Sequence, residues 1–553
     1  MKNTSYVIVF YFLIFLYFYF YTLNFNYVEG DDASTILYHL CGRNLNIQPP
    51  YASYNSGMDF LIKTVNIQGE ESLRTFAVLV SFVSGFLILS LLVLLLDSVF
   101  ERNELVNSSY KTYLYLLIPF IVPDILFHSL IINSAYIGFV FLIGSLLLFI
   151  RFLKTNRIVF LGLSILLFAI AIPFRWTLLV SLPIYMGFAL YYNPIDYYSS
   201  QTWLLLFKII IANIAGVFLA ILFIDVTGYN LEGIYNTIVS SNSYLENSER
   251  SVLSILATSS AFLTPSLLFL LILGVFKIYE LNKKSKNYAV SILSLIFFSI
   301  APFFIFGFFP SFKFLITLFP ILLIVAVLGF DYLMKSKWLL IIFLILFTSP
   351  WFIGIQVDAK GTFCGPGFEL NTQKIDLNKF EESNPDKRIQ IEGVYLKFDS
   401  GFYLPMLEGP RPFYGYFYVL FGNGWKNQID LFTQEREKIF QVLMQNKNTV
   451  YIQDRKTAYF QCDLFRKGFA TKTNYINNDS ILFRNYKNKE QSINIHVVPD
   501  AHPKVEWISN YFKKAKSTLI YRSSYSNEIL KLYDNNENHI ELLGPFTAIK
   551  YLE

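Results

Sequence analysis

The chain has 553 residues, of which 54% are hydrophobic and only 15% charged, whereas soluble domains carry roughly a quarter of charged residues. Its formal net charge of +5 is scattered, which argues against a nucleic-acid binder, since those concentrate Lys and Arg on one face. Cys41, Cys364 and Cys462 have no paired C-x-x-C spacing, which argues against a structural zinc or thioredoxin-like centre.

A bilayer is therefore the expected solvent. The 57 Phe and 38 Tyr suit interfacial belts, although a coding bias would enrich the same residues. The first apolar run, Tyr6 to Leu23, follows Lys2 and resembles a signal peptide. It is long and lacks a small-x-small cleavage site, so it is expected to stay as an anchor. Further runs are Leu73 to Leu96, Tyr113 to His128, Ala135 to Leu153, Ile158 to Ile172, Trp176 to Tyr192, Trp203 to Ile224, Val252 to Ile278, Tyr288 to Phe306, Phe314 to Leu333 and Trp338 to Ile355. Runs of this kind cross hydrocarbon as helices of roughly 17 to 25 residues, which predicts about eleven spans.

Orientation follows from the basic residues, which cytoplasmic loops retain. With the N-terminus inside, the cytoplasmic segments hold Arg102 and Lys111; Arg151, Lys154 and Arg157; Lys277, Lys283, Lys284 and Lys286; and Lys335 and Lys337. Asn193 to Thr202 is the one such loop without a basic residue. The outer loops are acidic instead, with Glu29, Asp31, Asp32, Asp59, Glu70 and Glu71 in the first and Asp225, Glu232, Glu246 and Glu249 in a later one.

After Gln356 charges become frequent, and Gly361, Gly365, Pro366 and Gly367 mark a linker. Arg388 to Phe398, Asn448 to Ile452, Ser480 to Tyr486 and Ser517 to Arg522 read as strands. Glu435 to Gln445 and Val505 to Ala515 have helical spacing. The expectation is a polytopic α-helical membrane protein whose residues 1–356 form the membrane part, with a large first outer loop at 24–72. Residues 357–553 would form an α/β extracytoplasmic domain. In that compartment Cys364 and Cys462 are open to two readings, a disulfide or two free thiols.

The first outer loop opens with Tyr27-Val28-Glu29-Gly30-Asp31-Asp32-Ala33. Carboxylates at a membrane surface can ionise, and a cavity beside them would partly desolvate whichever acts as a base. The competing role for Asp31 or Asp32 is to cap a helix beginning near Ala33. An acidic pair just after the first helix, a long first outer loop of about fifty residues and an outer C-terminal domain together resemble the GT-C membrane glycosyltransferases. That group includes protein O-mannosyltransferase and aminoarabinose-transferase relatives.

The resemblance covers the membrane portion and implies roles for particular residues. Asp31 matches the first member of the family's acidic pair, the proposed catalytic base, with Asp32 as its support. Gln48-Pro49-Pro50-Tyr51 and Tyr54-Asn55-Ser56-Gly57 look like the Pro- and aromatic-rich turn before the second outer-loop helix. Ala171-Ile172-Pro173-Phe174-Arg175-Trp176 is similar to a family helix ending in Arg, which makes Arg175 a candidate lipid-phosphate ligand. Its competing role is snorkelling to headgroups beside Trp176. Lys313 and Phe314 stand where relatives carry Arg-Tyr, so Lys313 is the second phosphate candidate, or else a helix anchor. Where relatives place another acid this chain has Asn133-Ser134, and the nearest acid is Asp124, a candidate second acid or a helix boundary. That departure leaves a divalent cation open, and no other cofactor is implied.

The implied activity is transfer of one sugar from a polyprenyl-phosphate carrier to an acceptor hydroxyl or amine at the outer face of the inner membrane, with inversion. A surface-polysaccharide polymerase or ligase is the nearest enzyme rival, although its large loop usually lies between late spans. A transporter would place ionisable residues inside the spans, and here they lie near the ends. A non-catalytic membrane protein with an outer sensing domain remains a further alternative.

Overall fold

The computed structural model describes residues 2–23, 56–65, 70–100, 108–128, 134–193, 200–226, 263–284, 286–306, 316–352, 354–357, 363–367, 416–421, 441, 448–452, 468–471, 480–485, 492–498, 517–521, 540–542 and 547–551. The membrane part is a helical bundle. Its elements are α1 (Lys2–Leu23), α2 (Ser56–Val65), α3 (Glu70–Phe100), α4 (Ser108–Ile121), α5 (Asp124–His128), α6 (Ser134–Thr155) and α7 (Ile158–Phe174). A 3₁₀ helix (Trp176–Ser181) then leads to α8 (Leu182–Tyr192), α9 (Ser200–Val226), α10 (Pro265–Lys284), α11 (Lys286–Phe306), α12 (Phe319–Leu333) and α13 (Lys337–Phe352).

Six of these helices are long and apolar enough to cross a membrane: Thr4–Leu23, Arg74–Phe100, Ser134–Thr155, Trp203–Val226, Pro265–Lys283 and Ile316–Leu333. Four shorter apolar helices, Ile158–Phe174, Trp176–Tyr192, Ala289–Pro302 and Lys337–Phe352, accompany them. Length alone thus supports six of the expected spans. The others are shortened where prolines or backbone breaks intervene. The run from Tyr113 divides into α4 and α5, with Pro119 inside α4. The run from Trp176 begins as a 3₁₀ helix. Of the run from Val252, only the part from Leu263 onward is described.

α12 lies at the centre of the bundle. Its Ile316–Leu333 window is 83% buried, against 28% for the windows in α1 and α9. It crosses α10 at van der Waals limits: a Cβ on Gly329 would lie 1.9 Å from the Leu270 carbonyl oxygen, and one on Gly274 would lie 2.4 Å from that of Val325. In lipid no hydrophobic force drives helices together, so small residues that permit such backbone approach are the main source of packing energy. Halfway along the bundle, α6 and α7 are clasped by two serines. Ser145 Oγ donates to the Ser164 carbonyl at 2.6 Å, and Ser164 Oγ donates to that of Ser145 at 2.9 Å. With both hydroxyl protons committed, the Tyr185 hydroxyl at 2.6 Å donates to Ser145 Oγ.

The two ends of the bundle differ. At the end where α1 starts, the last carbonyls of α3, which have no partner within their own helix, accept from other elements. Ser98 accepts from Lys154 (2.9 Å) and Tyr192 (2.8 Å), Val99 from Tyr191 (3.3 Å) and Phe100 from Lys111 (3.2 Å). Lysines here also favour the negative end of the helix dipole. Asp97 accepts from Thr4 at 2.7 Å and Tyr115 at 3.0 Å, and Lys277 pairs with Asp331 at 2.6 Å.

Beyond α13, β1 (Gly354–Val357) and β2 (Phe363–Gly367) form an antiparallel pair. A short helix, α14 (Tyr416–Phe421), returns to the bundle at the end where α1 stops. There the Phe421 ring meets Phe18 at 5.5 Å, Tyr17 at 5.7 Å and Trp351 at 6.3 Å. The remaining strands are β3 (Asn448–Ile452), β4 (Phe469–Thr471), β5 (Ser480–Asn485), β6 (Ser492–Val498), β7 (Ser517–Tyr521), β8 (Ile540–Leu542) and β9 (Thr547–Tyr551). They form one sheet in the order β4-β5-β6-β3-β7-β9-β8. β3 is central and parallel to both β6 and β7, and the other pairings are antiparallel. The segment expected as a strand from Arg388 and the helix expected from Val505 lie outside the described residues, as does all but residue 441 of the helix expected from Glu435.

The α10–α12 crossing yields a direct test. Gly329→Ala forces apart two backbones and is expected to cost about 1–3 kcal/mol, lowering the Tm of the detergent-solubilised protein. Gly162→Ala on α7, where an added Cβ meets nothing within 4 Å, is expected to leave the Tm unchanged or raise it slightly.

Candidate functional site

α7 reaches its end at Phe174 with Pro173 in the last turn. Arg175 then adopts an extended backbone, φ −159° and ψ 103°, before the chain re-enters a 3₁₀ helix at Trp176. The break keeps its backbone satisfied: the Arg175 amide donates to the Ala171 carbonyl at 3.3 Å, and the Arg175 carbonyl accepts from the Leu178 amide at 3.0 Å. Arg175 itself is only 6% exposed. The sequence placed this residue at a helix end joining two apolar runs, and the structure agrees.

α2 is seated against this turn. Ser56 Oγ donates to the Pro173 carbonyl at 3.3 Å. A Cβ on Gly57 would lie 3.0 Å from both the Phe174 ring and its amide nitrogen, so a larger residue there would press on Phe174. On the other side of α2, Met58 and Ile62 pack with Ala77 of α3 and against Ile137 of α6. The segment between α1 and α3 is therefore seated at its α2 end on the Pro173–Phe174 turn that precedes Arg175. α2 starts where the turn Tyr54-Asn55-Ser56-Gly57 was expected to lead into a second outer-loop helix.

Two further groups did not stand out in the sequence. Asp59 is 1% exposed and pairs with Lys63, one turn further along α2, whose side chain is 48% exposed. Arg74 is partly buried at the start of α3. The available signal for Asp59 was the i, i+4 acid–base spacing together with apolar Met58 and Ile62. Taken alone, a single acid in a first helical turn reads as a dipole partner.

Asp124 begins α5 and is fully buried, and its Oδ2 accepts from the Tyr136 hydroxyl at 2.6 Å. Nearby, Thr264 Oγ1 donates to the Ile121 carbonyl at 2.6 Å and accepts from the Leu267 amide at 3.3 Å, capping α10. Trp351 Nε1 donates to the Phe120 carbonyl at 3.1 Å. Asp124 thus stands in a tightly joined region at the same end of the bundle as Arg175. Asp31, Asp32 and Lys313 lie outside the described residues, as does Cys462. Among the described residues no three His, Cys, Asp or Glu gather in the manner of a metal site.

No protein-family model matches the chain, and no curated protein matches it. Solved structures do. ArnT from Cupriavidus metallidurans in the apo state aligns with 100% of this chain and 98% of its own, at a TM-score of 0.50 and 13% identity. The same enzyme bound to undecaprenyl phosphate aligns over 99% and 98%, at a TM-score of 0.51 and 13% identity. An Archaeoglobus fulgidus oligosaccharyltransferase is more distant, with a TM-score of 0.43 and 11% identity over 99% of this chain and 88% of its own. The chain thus shares its fold with ArnT over nearly the whole length of both chains.

Proposed function

We propose that the chain is a glycosyltransferase that takes a sugar from a polyprenyl-phosphate carrier and passes it, with inversion, to an acceptor hydroxyl or amine at the outer face of the membrane. The observation that carries this reading is the seat of α2 on the Arg175 turn through Ser56 and Gly57. It seats the helix that follows the Asp31-Asp32 segment in sequence beside the turn that carries the buried Arg175, which supports reading a base and a phosphate ligand into one site. The fold adds support, because one relative of that fold is an ArnT bound to undecaprenyl phosphate. The basic residues support the orientation: Lys111, Lys154 and Lys277 gather at the end where α1 starts, the cytoplasmic side under the positive-inside rule.

In this mechanism Asp31 accepts the proton of the acceptor group as its oxygen or nitrogen attacks the anomeric carbon, and the neighbouring Asp32 carboxylate, a like charge, raises the proton affinity of Asp31. A bond forms from the acceptor to that carbon while the bond to the carrier's phosphate oxygen breaks. One displacement inverts the configuration. The leaving electron pair stays on a phosphate, which Arg175 and Lys313 neutralise. Preorganised cations at such a leaving group lower the barrier without reorganisation, and an ionised phosphate needs little acid assistance. The C-terminal region 357–553, whose α14 meets the bundle through Phe421, selects the acceptor.

The test is transfer from a panel of polyprenyl-phosphate sugars in proteoliposomes. Asp31→Asn is expected to reduce turnover by at least about a hundredfold, the range of general-base catalysis, with the protein still present in the membrane. Arg175→Gln is expected to raise the KM for the donor. Undiminished transfer by Asp31→Asn would remove the base from the mechanism.

A further inference from the structure

α6 and α7 are joined by a tight turn at the end of the bundle where α1 starts. Asn156, at φ 53°, closes α6 with a 2.7 Å bond from its amide to the Phe152 carbonyl, and Arg157 opens α7. Arg151, Lys154 and Arg157 are all exposed here, and the first turn of α7 holds no acid. Lys154 is occupied, donating to the Ser98 carbonyl at 2.9 Å. The two arginines differ from it, since neither pairs with a carboxylate among the described residues. The Arg151 guanidinium lies 4.8 Å from the centroid of the Phe160 ring, a contact that holds the cation beside α7 without using its N–H donors. Apolar residues continue along the same face of α7: Ile158 and Val159 are 64% and 65% exposed and Leu163 43%. Between them a Cβ on Gly162 would meet nothing within 4 Å, which leaves a notch in that face. α7 has 17 residues, about 26 Å at 1.5 Å per residue, less than the ~30 Å of hydrocarbon. Its first residues therefore stand at headgroup level, not beyond it in water.

We infer that the α6–α7 turn binds one anionic phospholipid of the leaflet at that end. Arg151 and Arg157 hold its headgroup phosphate, and an acyl chain runs along α7 over Val159, Gly162 and Leu163. Two cations without acid partners above an apolar stripe match the two parts of such a lipid. A zwitterionic lipid presents the same phosphate together with a cation of its own, which the arginines repel, so the site selects net negative charge. The bound lipid fixes the depth of α7, the helix that carries the Arg175 turn at its other end. The site needs only a membrane-spanning chain, whatever reaction that chain performs.

The experiment incubates the full-length protein in detergent with equal amounts of phosphatidylglycerol and phosphatidylcholine, repurifies it by size exclusion and measures the retained lipids by mass spectrometry. The wild type is expected to retain phosphatidylglycerol in preference. Arg151→Gln combined with Arg157→Gln is expected to lower that preference by about tenfold or more, since each cation near an anionic headgroup contributes about fivefold. Lys283→Gln combined with Lys337→Gln removes the same charge from exposed lysines of α10 and α13 at the same end of the bundle and is expected to leave the preference unchanged. A preference that survives loss of both arginines overturns the inference, as does one that falls equally with loss of both lysines. If the double arginine variant does not fold, Arg157→Gln alone decides, because the Arg157 side chain is exposed: about a fivefold loss supports the site, and an unchanged preference overturns it. Repurification in phosphate buffer is expected to match that in chloride buffer of equal ionic strength. Loss of the lipid in phosphate alone would make this a site for free phosphate and overturns the lipid assignment.

Discussion

A guanidinium held out of water at the point where a membrane helix stops is the constraint around which the rest is arranged. Burying Arg175 is expensive unless something anionic is kept close. Its extended backbone would also expose amides if the Ala171 and Leu178 bonds did not close the turn. α6 supports the turn from behind, since a Cβ on Gly138 would come within 2.9 Å of the Ala171 carbonyl oxygen. α2 covers it from the front through Ser56 and Gly57. A charge held on rigid elements with support on both sides is what recognition of a phosphate requires, because a misplacement of about an ångström costs much of the effect.

The opposite end of the bundle has a different task. There Asp97, the terminal carbonyls of α3, and Lys111, Lys154, Tyr191 and Tyr192 tie α1, α3, α4, α6 and α8 into one network. Lys277 and Asp331 add α10 and α12, and Lys111 is attracted by both Asp97 and Asp331. Halfway between the ends, the polar contact among Ser145, Ser164 and Tyr185 is neutral and internally satisfied. A transporter would keep ionisable groups at that depth. Among the described residues, the hydrogen-bonded and ion-paired charges of the bundle lie toward its ends.

Much of this architecture was legible in the hydropathy pattern, because apolar runs must become helices once lipid denies the backbone any other partner. The pattern misjudged continuity: it cannot show that the run from Trp176 starts as a 3₁₀ helix, or that α4 gives way to α5. Among the strands, β3 was read with its bounds and β5 and β7 to within a residue, since β-branched, aromatic and other apolar residues fill half or more of each. β6 was missed even though Ile493, Ile495 and Val497 alternate with polar neighbours, and β4 and β8 have only three residues each. Arg175 was found because a cation between two apolar runs is conspicuous. Asp59 was counted only as one outer-loop acid, because its burial comes from α2 packing against elements far away in the chain.

The account stands most directly on what the protein carries out of the membrane. Mass spectrometry of lipid extracted from the purified full-length protein is expected to show a polyprenyl phosphate, free or bearing a sugar, enriched over the surrounding phospholipid. A lipid extract that matches the bulk membrane, with no polyprenyl species retained by the wild-type protein, would contradict it.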